Sequence, residues 1–165
     1  MNLASWAIDV LARKCSFNRE SISSRPRGKG METFHWEESM AVGVSLMDVD
    51  HRKLVEILAS LQHSMGQSSS RALVAATIDT LTDYTMDHFR HEEEAMRVHD
   101  YPDAETHTTE HTELMMRLRA FKDRADLGDI ASALELMDFL GAYLTTHMLN
   151  ADKRLGVFLR SRLAA

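Results

Sequence analysis

Cysteine, proline and long apolar runs are scarce in this chain, and each absence excludes a class of protein. The 165 residues include one cysteine, Cys15, and 2 prolines. An intramolecular disulfide is therefore impossible, and long helices can run uninterrupted. A single cysteine is typical of a reducing compartment, so we expect a cytoplasmic protein. No apolar run approaches the roughly 20 residues of a membrane-spanning helix, and charges interrupt the apolar N-terminus, which argues against an anchor or a secretory signal.

The charge balance argues against a nucleic-acid partner. The formal net charge is -6, whereas proteins that bind phosphate backbones usually present a basic face. The basic residues are also scattered, apart from a short cluster within residues 25–29. We therefore expect neither nucleic acid nor membrane as a partner, and the sequence indicates no protein partner.

Residues 1–30 differ in composition from the rest of the chain. Residues 21–30 (SISSRPRGKG) are polar and contain glycine and proline, which is typical of a linker. We therefore divide the chain into an N-terminal extension, 1–30, and a domain, 31–165. The sequence leaves open whether the extension holds a short helix, is disordered, or reflects a wrongly assigned start with the true one at Met31.

The domain shows helical periodicity throughout. Apolar residues recur every three or four positions in four stretches, which predict helices over about 48–65, 70–99, 102–124 and 130–158. The connections between them are short and contain residues that interrupt helices. Short connections place consecutive helices side by side and antiparallel, so we predict an all-α, up-down-up-down four-helix bundle.

The unusual feature is a set of ionisable side chains on the apolar seams of these helices. An unpaired charge is costly to bury, so a bundle core excludes carboxylates unless a partner compensates them. The seam residues are His51, His88, Glu92, His107, His111 and His147. At a rise of roughly 1.5 Å per residue, all of them fall within about 15 Å of the same end of the bundle. Four helices therefore place metal-ligand side chains at one level.

The spacing within the helices also suits a metal site. Glu92 follows His88 by four residues, so the two lie on one helical face, and residues 107–111 (HTTEH) repeat that spacing. Asp152 follows His147 by five residues, which is about 140° around a regular helix. We expect either that Asp152 reaches in from the side or that the helix is locally distorted there.

Five imidazoles and two carboxylates exceed the needs of one metal ion, since a single zinc ion takes four ligands. Two ions could share both carboxylates and a bridging oxide or hydroxide. Three histidines would then complete the coordination of one ion, whereas two histidines would leave the other ion with an open coordination position. Imidazole with carboxylate suits iron, and an open position at a redox metal suits a small diatomic ligand. Two zinc ions stay an alternative that gives no reason for an open redox site.

Several segments resemble bacterial members of the hemerythrin family. They are residues 34–38 (FHWEE), 47–54 (MDVDHRKL), 88–96 (HFRHEEEAM), 101–102 (YP), 107–111 (HTTEH) and 147–152 (HMLNAD). The resemblance implies a hemerythrin-like bundle that binds molecular oxygen at two iron ions (Fe2+/Fe3+). The histidines on the coordinatively full iron would be His107, His111 and His147. Those on the open iron would be His51 and His88, and the bridging ligands would be Glu92 and Asp152 beside an oxide or hydroxide.

The resemblance bears on two further residues of the last helix. Leu144, one turn before His147, resembles the apolar residue that lines the oxygen pocket, where dryness slows oxidation of the iron. Tyr143 is a departure, because relatives often carry tryptophan there. The histidines not expected to bind metal are His35, His63, His91 and His99. His91 is expected to face a neighbouring helix or solvent, and Glu93 and Glu94 are expected to be solvated. Asp48 or Asp50 is expected to cap the first helix.

Three functions are compatible with such a centre. We expect an oxygen-binding protein for transport, storage or local delivery, and no enzyme, because no further acid, base or substrate pocket is evident. One alternative is a di-iron peroxidase or nitric oxide reductase, although glutamate-rich sites are more typical of di-iron oxidases. The other is a redox, oxygen or nitric oxide sensor, which requires an unseen partner because the extension is too short to be a transducing domain.

Overall fold

The computed structural model describes residues 34–66, 71–129 and 131–163. The predicted extension, including Cys15, lies outside the described residues, as does Met31. The division of the chain at residue 30 therefore stays a prediction. The described residues belong to a unit that begins at Thr33.

Five α-helices and one π-helical turn form the described part of the domain. The helices are α1 (Ser45–Gly66), α2 (Arg71–Val98), α3 (Ala104–Asp126), α4 (Ala131–His147) and α5 (Lys153–Leu163), and the π-helical turn, Met148–Asp152, joins the last two. Within the described residues, a 3-10 turn, Glu38–Met40, precedes α1. Each of the first three helices packs against the next along the chain. The predicted all-α, up-down-up-down four-helix bundle is confirmed, and no helix within the described ranges is long and apolar enough to cross a membrane.

The first helix begins at Ser45, earlier than the sequence pattern indicates. The Asp48 carboxylate accepts hydrogen bonds from the backbone N–H groups of Val42 (2.6 Å) and Gly43 (3.0 Å). Gly43 has a φ of 79°, in the left-handed region that favours glycine. Asp48 therefore closes the loop that leads into α1 and lies inside the first turn of the helix.

Two apolar clusters fill the interior of the bundle, one on each side of a polar layer. The larger cluster includes Leu54, Leu58, Leu61, Ile78, Leu81, Leu114, Leu118, Leu136, Leu140 and Leu144. The smaller cluster is formed by Val42, Met47, Met96, Tyr101, Leu155 and Leu159. On α1, His51 lies between Met47 of the smaller cluster and Leu54 of the larger one. The other helices place their seam histidines at the same boundary, so the polar layer is enclosed by apolar packing.

Residues 34–44, called the N-terminal strap below, lie along α1 and α4. Phe34 donates its backbone N–H to the side chain of Gln62 on α1 (3.0 Å). Its ring lies against Gly141 on α4, where a Cβ atom would clash with it. Farther along the strap, the Arg52 guanidinium lies 4.7 Å from the ring centre of Trp36. These contacts seat the first half of the strap on two helices of the bundle.

The second half of the strap is fixed by α5. Lys153 donates to the backbone carbonyl of Ala41, and Arg160 donates to that of Val42. The Val42 carbonyl lies so close to Gly156 that a Cβ atom there would be 2.5 Å from it. The strap therefore joins the start of α1 to the last helix, beside the smaller apolar cluster.

Candidate metal centre

The structure brings the seven predicted ligand side chains into one buried cluster. They are His51, His88, Glu92, His107, His111, His147 and Asp152, and each is at most 4% exposed. Their ligand-type atoms form two groups, within each of which the atoms lie within 4.8 Å of one another. One group contains the three-histidine set, His107, His111 and His147. The other contains the two-histidine set, His51 and His88, and both groups include Glu92 and Asp152.

The two carboxylates lie between the sets, with one oxygen turned to each. Glu92 Oε1 is 3.8 Å from Nε2 of His51 and 3.8 Å from Nε2 of His88. Its other oxygen, Oε2, is 3.2 Å from Nε2 of His111. Asp152 repeats the arrangement, because Oδ2 is 3.2 Å from His51 Nε2 while Oδ1 is 3.1 Å from the Nε2 atoms of His107 and His147. Two cations could therefore lie side by side and share both carboxylates.

Asp152 reaches the cluster because the last helix is distorted immediately before it. Met148–Asp152 form a π-helical turn, in which hydrogen bonds span five residues, so that residues five apart come onto one face. The side-chain amide of Asn150 donates to the Thr146 carbonyl (2.7 Å), which gives that carbonyl a partner beside the widened turn. Of the two arrangements that the spacing from His147 allowed, the chain adopts the local distortion.

The inward-facing atoms of the cluster lack hydrogen-bond partners. They include the Nε2 atoms of His51, His107, His111 and His147 and all four carboxylate oxygens of Glu92 and Asp152. Among the described residues, every buried side-chain nitrogen or oxygen without such a partner belongs to these seven ligands. Orphaned buried groups cost free energy unless something satisfies them. Imidazole nitrogens and carboxylate oxygens are donors that suit iron, so the cluster fits an iron site.

Comparison with known proteins agrees with this donor set. Residues 42–159 match the family model of the hemerythrin HHE cation binding domain. A bacteriohemerythrin from Stenotrophomonas maltophilia (strain R551-3) is 33% identical over 118 residues, which cover 72% of this chain and 76% of the relative. The chain belongs to the hemerythrin family.

Other relatives support this assignment. A bacteriohemerythrin from Pseudomonas paraeruginosa (strain DSM 24068 / PA7) is 29% identical over 117 residues, covering 71% of this chain and 75% of the relative. A crystal structure of wild-type hemerythrin matches with a TM-score of 0.71 at 23% identity, covering 79% of this chain and 98% of that chain. The structural likeness shows a common fold. Membership of the hemerythrin family implies a non-haem iron site.

Two carboxylates contact the outer nitrogens of the three-histidine set in this hemerythrin-family domain. His111 Nδ1 is 3.0 Å from Oε1 of Glu93, and His147 Nδ1 is 2.9 Å from Oε2 of Glu110. Tyr143 donates its hydroxyl to the backbone carbonyl of Glu110 (3.0 Å), and its ring stacks on that of His147, with ring centres 5.2 Å apart. A carboxylate on Nδ1 holds the proton there and leaves Nε2 free to bind a metal.

A third carboxylate, Asp50, lies beside the two-histidine set. It is 5% exposed and sits inside α1, which excludes the helix-capping role that the sequence suggested for it. Tyr84 donates to its Oδ1 (3.1 Å), while its Oδ2 is 2.8 Å from Nδ1 of His91 and 3.7 Å from Nδ1 of His88. Although burial opposes ionisation, the contacts with His88, His91 and Tyr84 lower the pKa of Asp50 to about 2. Asp50 therefore joins α1 to α2 as a charged group.

In the metal-free protein, the carboxylates and imidazoles of the cluster stabilise each other's charged forms. Burial disfavours protonation of His147, but Asp152 and Glu110 raise its pKa to about 10. Burial and Asp152 oppose ionisation of Glu92, but the histidines that face it lower its pKa to about 2. A metal ligand must give up its proton, so metal binding to this hemerythrin-family site releases protons.

Apolar side chains border the cluster on the side of the larger core. Leu144 is 6% exposed and lies one turn before His147, as a member of the larger apolar cluster. The Phe89 ring stacks on His111, with ring centres 3.6 Å apart and an angle of 4° between the planes. These side chains exclude water from that side of the centre. The role of Leu144 in a ligand pocket stays a prediction.

Sequence reasoning missed the carboxylates that contact the outer nitrogens. Glu93 was expected to be solvated and Asp50 to cap a helix, and no role was predicted for Glu110. The sequence carries one signal for them, which does not identify their partners: Asp50, Glu93 and Glu110 are each the immediate chain neighbour of a ligand residue. A residue next to the seam is turned about 100° from it and so faces an adjacent helix. His91, expected to face a neighbour or solvent, contacts Asp50 and leaves 37% of its side chain exposed.

Proposed function

We propose that this hemerythrin-family domain binds molecular oxygen reversibly at two iron ions held by the seven-residue cluster. The observation that carries the proposal is that Glu92 and Asp152 each turn one oxygen to either histidine set. When bound there, an iron pair would supply the two electrons that reversible binding of one dioxygen molecule requires. That chemistry serves oxygen transport, storage or local delivery, and the family to which the chain belongs supports it.

We assign one ion to each histidine set. The ion at the three-histidine set would take His107, His111 and His147, and the ion at the two-histidine set would take His51 and His88. Both ions would share Glu92, Asp152 and an oxide or hydroxide. Because the second ion has fewer ligands from the protein, it offers the position for an exogenous ligand.

The contribution of the chain is to hold ionised ligands in a dry layer. Apolar clusters on both sides enclose the polar layer, and Leu144 is proposed to line the space beside the two-histidine set. Exclusion of water and of stray protons slows irreversible loss of electrons from such a site. A dry, enclosed layer therefore favours reversible binding over turnover.

No observation favours catalytic turnover or signalling over binding. The buried polar residues outside the cluster, among those described, are Asp50, Gln62 and Thr85. Asp50 is engaged by Tyr84 and His91, and Gln62 accepts the backbone N–H of Phe34. None of them offers an acid or base directed at the centre, so a peroxidase, a nitric oxide reductase or a sensor is not proposed.

An optical experiment tests the proposal. The full chain is loaded with iron, reduced anaerobically with dithionite, desalted and exposed to air. We expect a colourless protein that develops visible ligand-to-iron bands in air and loses them under vacuum over repeated cycles. Immediate and irreversible oxidation would contradict a carrier and favour an enzyme or sensor, and the absence of iron bands would contradict the di-iron site itself.

A matched pair of variants makes the same experiment specific to the cluster. His88→Ala removes one of the two imidazoles of the two-histidine set, so we expect it to retain fewer than two irons per chain and to lose the reversible bands. His63→Ala, near the other end of α1, alters an exposed histidine outside the cluster and serves as the control. Two irons per chain and an unchanged spectrum in His88→Ala would refute the ligand assignment.

A further inference from the structure

The imidazoles of the two sets differ in the support that their outer nitrogens receive. In the three-histidine set, Nδ1 of His111 and Nδ1 of His147 each contact a carboxylate at 3.0 Å and 2.9 Å. In the two-histidine set, His51 Nδ1 is buried without a hydrogen-bond partner. Nδ1 of His88 is also unpaired, because it lies 3.7 Å from an Asp50 oxygen that contacts His91 at 2.8 Å.

This difference follows from the order of the helices. Glu93 on α2 contacts a ligand histidine of α3, and Glu110 on α3 contacts a ligand histidine of α4. Asp50 on α1 points to α2 in the same way, but its closer partner is His91. Each supporting carboxylate therefore comes from the preceding helix. His51 lies on α1, and within the described residues no α-helix precedes α1 to supply one.

A carboxylate on the outer nitrogen strengthens an imidazole as a metal ligand. It fixes the tautomer, orients the ring and makes Nε2 more basic, and its loss typically costs 10–100-fold in metal affinity. Two imidazoles of the three-histidine set have a carboxylate at hydrogen-bond distance. In the two-histidine set, His51 has none, and His88 has only the longer contact of 3.7 Å with Asp50. This difference in support should raise the metal affinity of the three-histidine set further, because that set already provides three imidazoles and the other set provides two.

We propose that Glu93 and Glu110 are positioning residues that make the three-histidine set the tighter of the two metal positions. A chain that loses metal then keeps one ion at that set, while the two-histidine set releases its ion first. This inference rests on the proposed two-ion site and goes beyond it, because it orders the two positions by their retention of metal.

The two glutamates can be changed without opening the core. Their side chains are 41% and 37% exposed, and each contacts the cluster only through the outer edge of a ring. Glutamine keeps the size of the side chain and an acceptor oxygen but removes the negative charge. Glu93→Gln and Glu110→Gln therefore test the charge on the outer nitrogen while the ligand count stays the same.

The test is anaerobic release of ferrous iron from the full chain to a strong chelator, with iron per chain measured over time. The wild-type chain is expected to release iron in two phases of one ion each. Each glutamine variant is expected to release the slow ion 10–100-fold faster and to leave the fast phase unchanged. Glu94→Gln is the control, because Glu94 adjoins Glu93 but contacts Arg97 at the surface.

The possible outcomes separate this inference from the proposed function. If the wild-type chain binds two ions and releases them in one phase, the ordering of the two positions is wrong. If both variants release iron as the wild type does, ligand number alone sets the order and the role of the glutamates is wrong. A chain that binds no iron would overturn the proposed function itself, and circular dichroism distinguishes that result from a failure to fold.

Discussion

Asp50 is a buried charge next to the candidate metal centre whose contacts link two helices. Its carboxylate accepts from Tyr84 and contacts His91, so it is compensated without any metal. A buried polar group that loses such partners costs free energy, whereas an exposed one does not. The stability of the metal-free protein should therefore depend on Asp50 itself and not only on the ligands beside it.

We predict that Asp50→Asn lowers the free energy of unfolding of the metal-free protein by about 1–3 kcal/mol. The asparagine cannot accept at both positions and loses the charge that stabilises its partners. Urea denaturation measures the change. Asp87→Asn is the control, because Asp87 is 56% exposed and contacts Arg90, and it should change stability by less than about 0.5 kcal/mol. Equal effects of the two substitutions would contradict the structural role of Asp50.

Single residues were predictable from the sequence where they lie on an apolar seam. The six seam residues were foreseen because an ionisable side chain at a core position requires a partner, whereas Asp152 was assigned through the family resemblance. The contacts of Glu110 and Asp50 with neighbouring helices were not foreseen, since the sequence pattern does not distinguish a carboxylate beside the seam from a solvated one. Which neighbouring helix it meets depends on how the helices are rotated in the bundle, and no local pattern fixes that rotation.

The N-terminal strap shows two kinds of close contact between a chain segment and a helix. At Gly141 a Cβ atom would meet the ring of Phe34, which can rotate or shift. At Gly156 it would meet the backbone carbonyl of Val42, which Arg160 also holds. Because backbone yields less easily than a side chain, the two glycines should differ in their tolerance of a methyl group.

We predict that Gly156→Ala destabilises the protein more than Gly141→Ala. Alanine gains about 1 kcal/mol of helix propensity at either position, but overpacking costs about 1–3 kcal/mol where neighbours cannot move. Gly141→Ala should therefore be nearly neutral and Gly156→Ala clearly destabilising. Urea unfolding of both variants measures this, and a similar loss in the two would show that the second half of the strap yields as easily as Phe34.

At the scale of elements, four helical segments and their order were predictable, but the division of the last segment into α4 and α5 was not. Four periodic stretches with short connections suffice for an antiparallel bundle. The π-helical turn was foreseen only as one of two ways to bring Asp152 inward. The five-residue spacing of His147 and Asp152 exceeds the helical repeat by one residue. Whether the backbone or the Asp152 side chain adjusts depends on how the following residues pack, and Leu155 and Leu159 are buried in the smaller apolar cluster.

The whole molecule contains an ion-paired layer whose charges depend on pH when no metal is bound. The pKa of Glu92 is lowered from 4.5 to about 2, so its contribution to stability is present above pH 4.5 and is lost as the pH falls toward 2. The pKa of His147 is raised from 6.5 to about 10, so its contribution is present below pH 6.5 and is lost as the pH rises toward 10.

We therefore predict that the metal-free protein is most stable between about pH 4.5 and 6.5 and loses stability on both sides. With iron bound, the ligand histidines carry no proton on Nε2, so the decline above pH 6.5 should largely disappear. Urea midpoints across this pH range, for metal-free and iron-loaded protein, measure both effects. A metal-free protein whose midpoint stays constant from pH 6.5 to 10 would show that the layer is not ion-paired as described.

The polar layer between two apolar clusters also fixes how the helices align. If one helix slid along the bundle by a single turn, an imidazole would enter an apolar cluster and a leucine would enter the polar layer. Both exchanges cost free energy, and the same cost applies to a shift of any of the four helices that carry ligand histidines. The residues proposed to hold iron therefore also specify the register of the fold, and a chain that assembles correctly has its ligands already opposite one another.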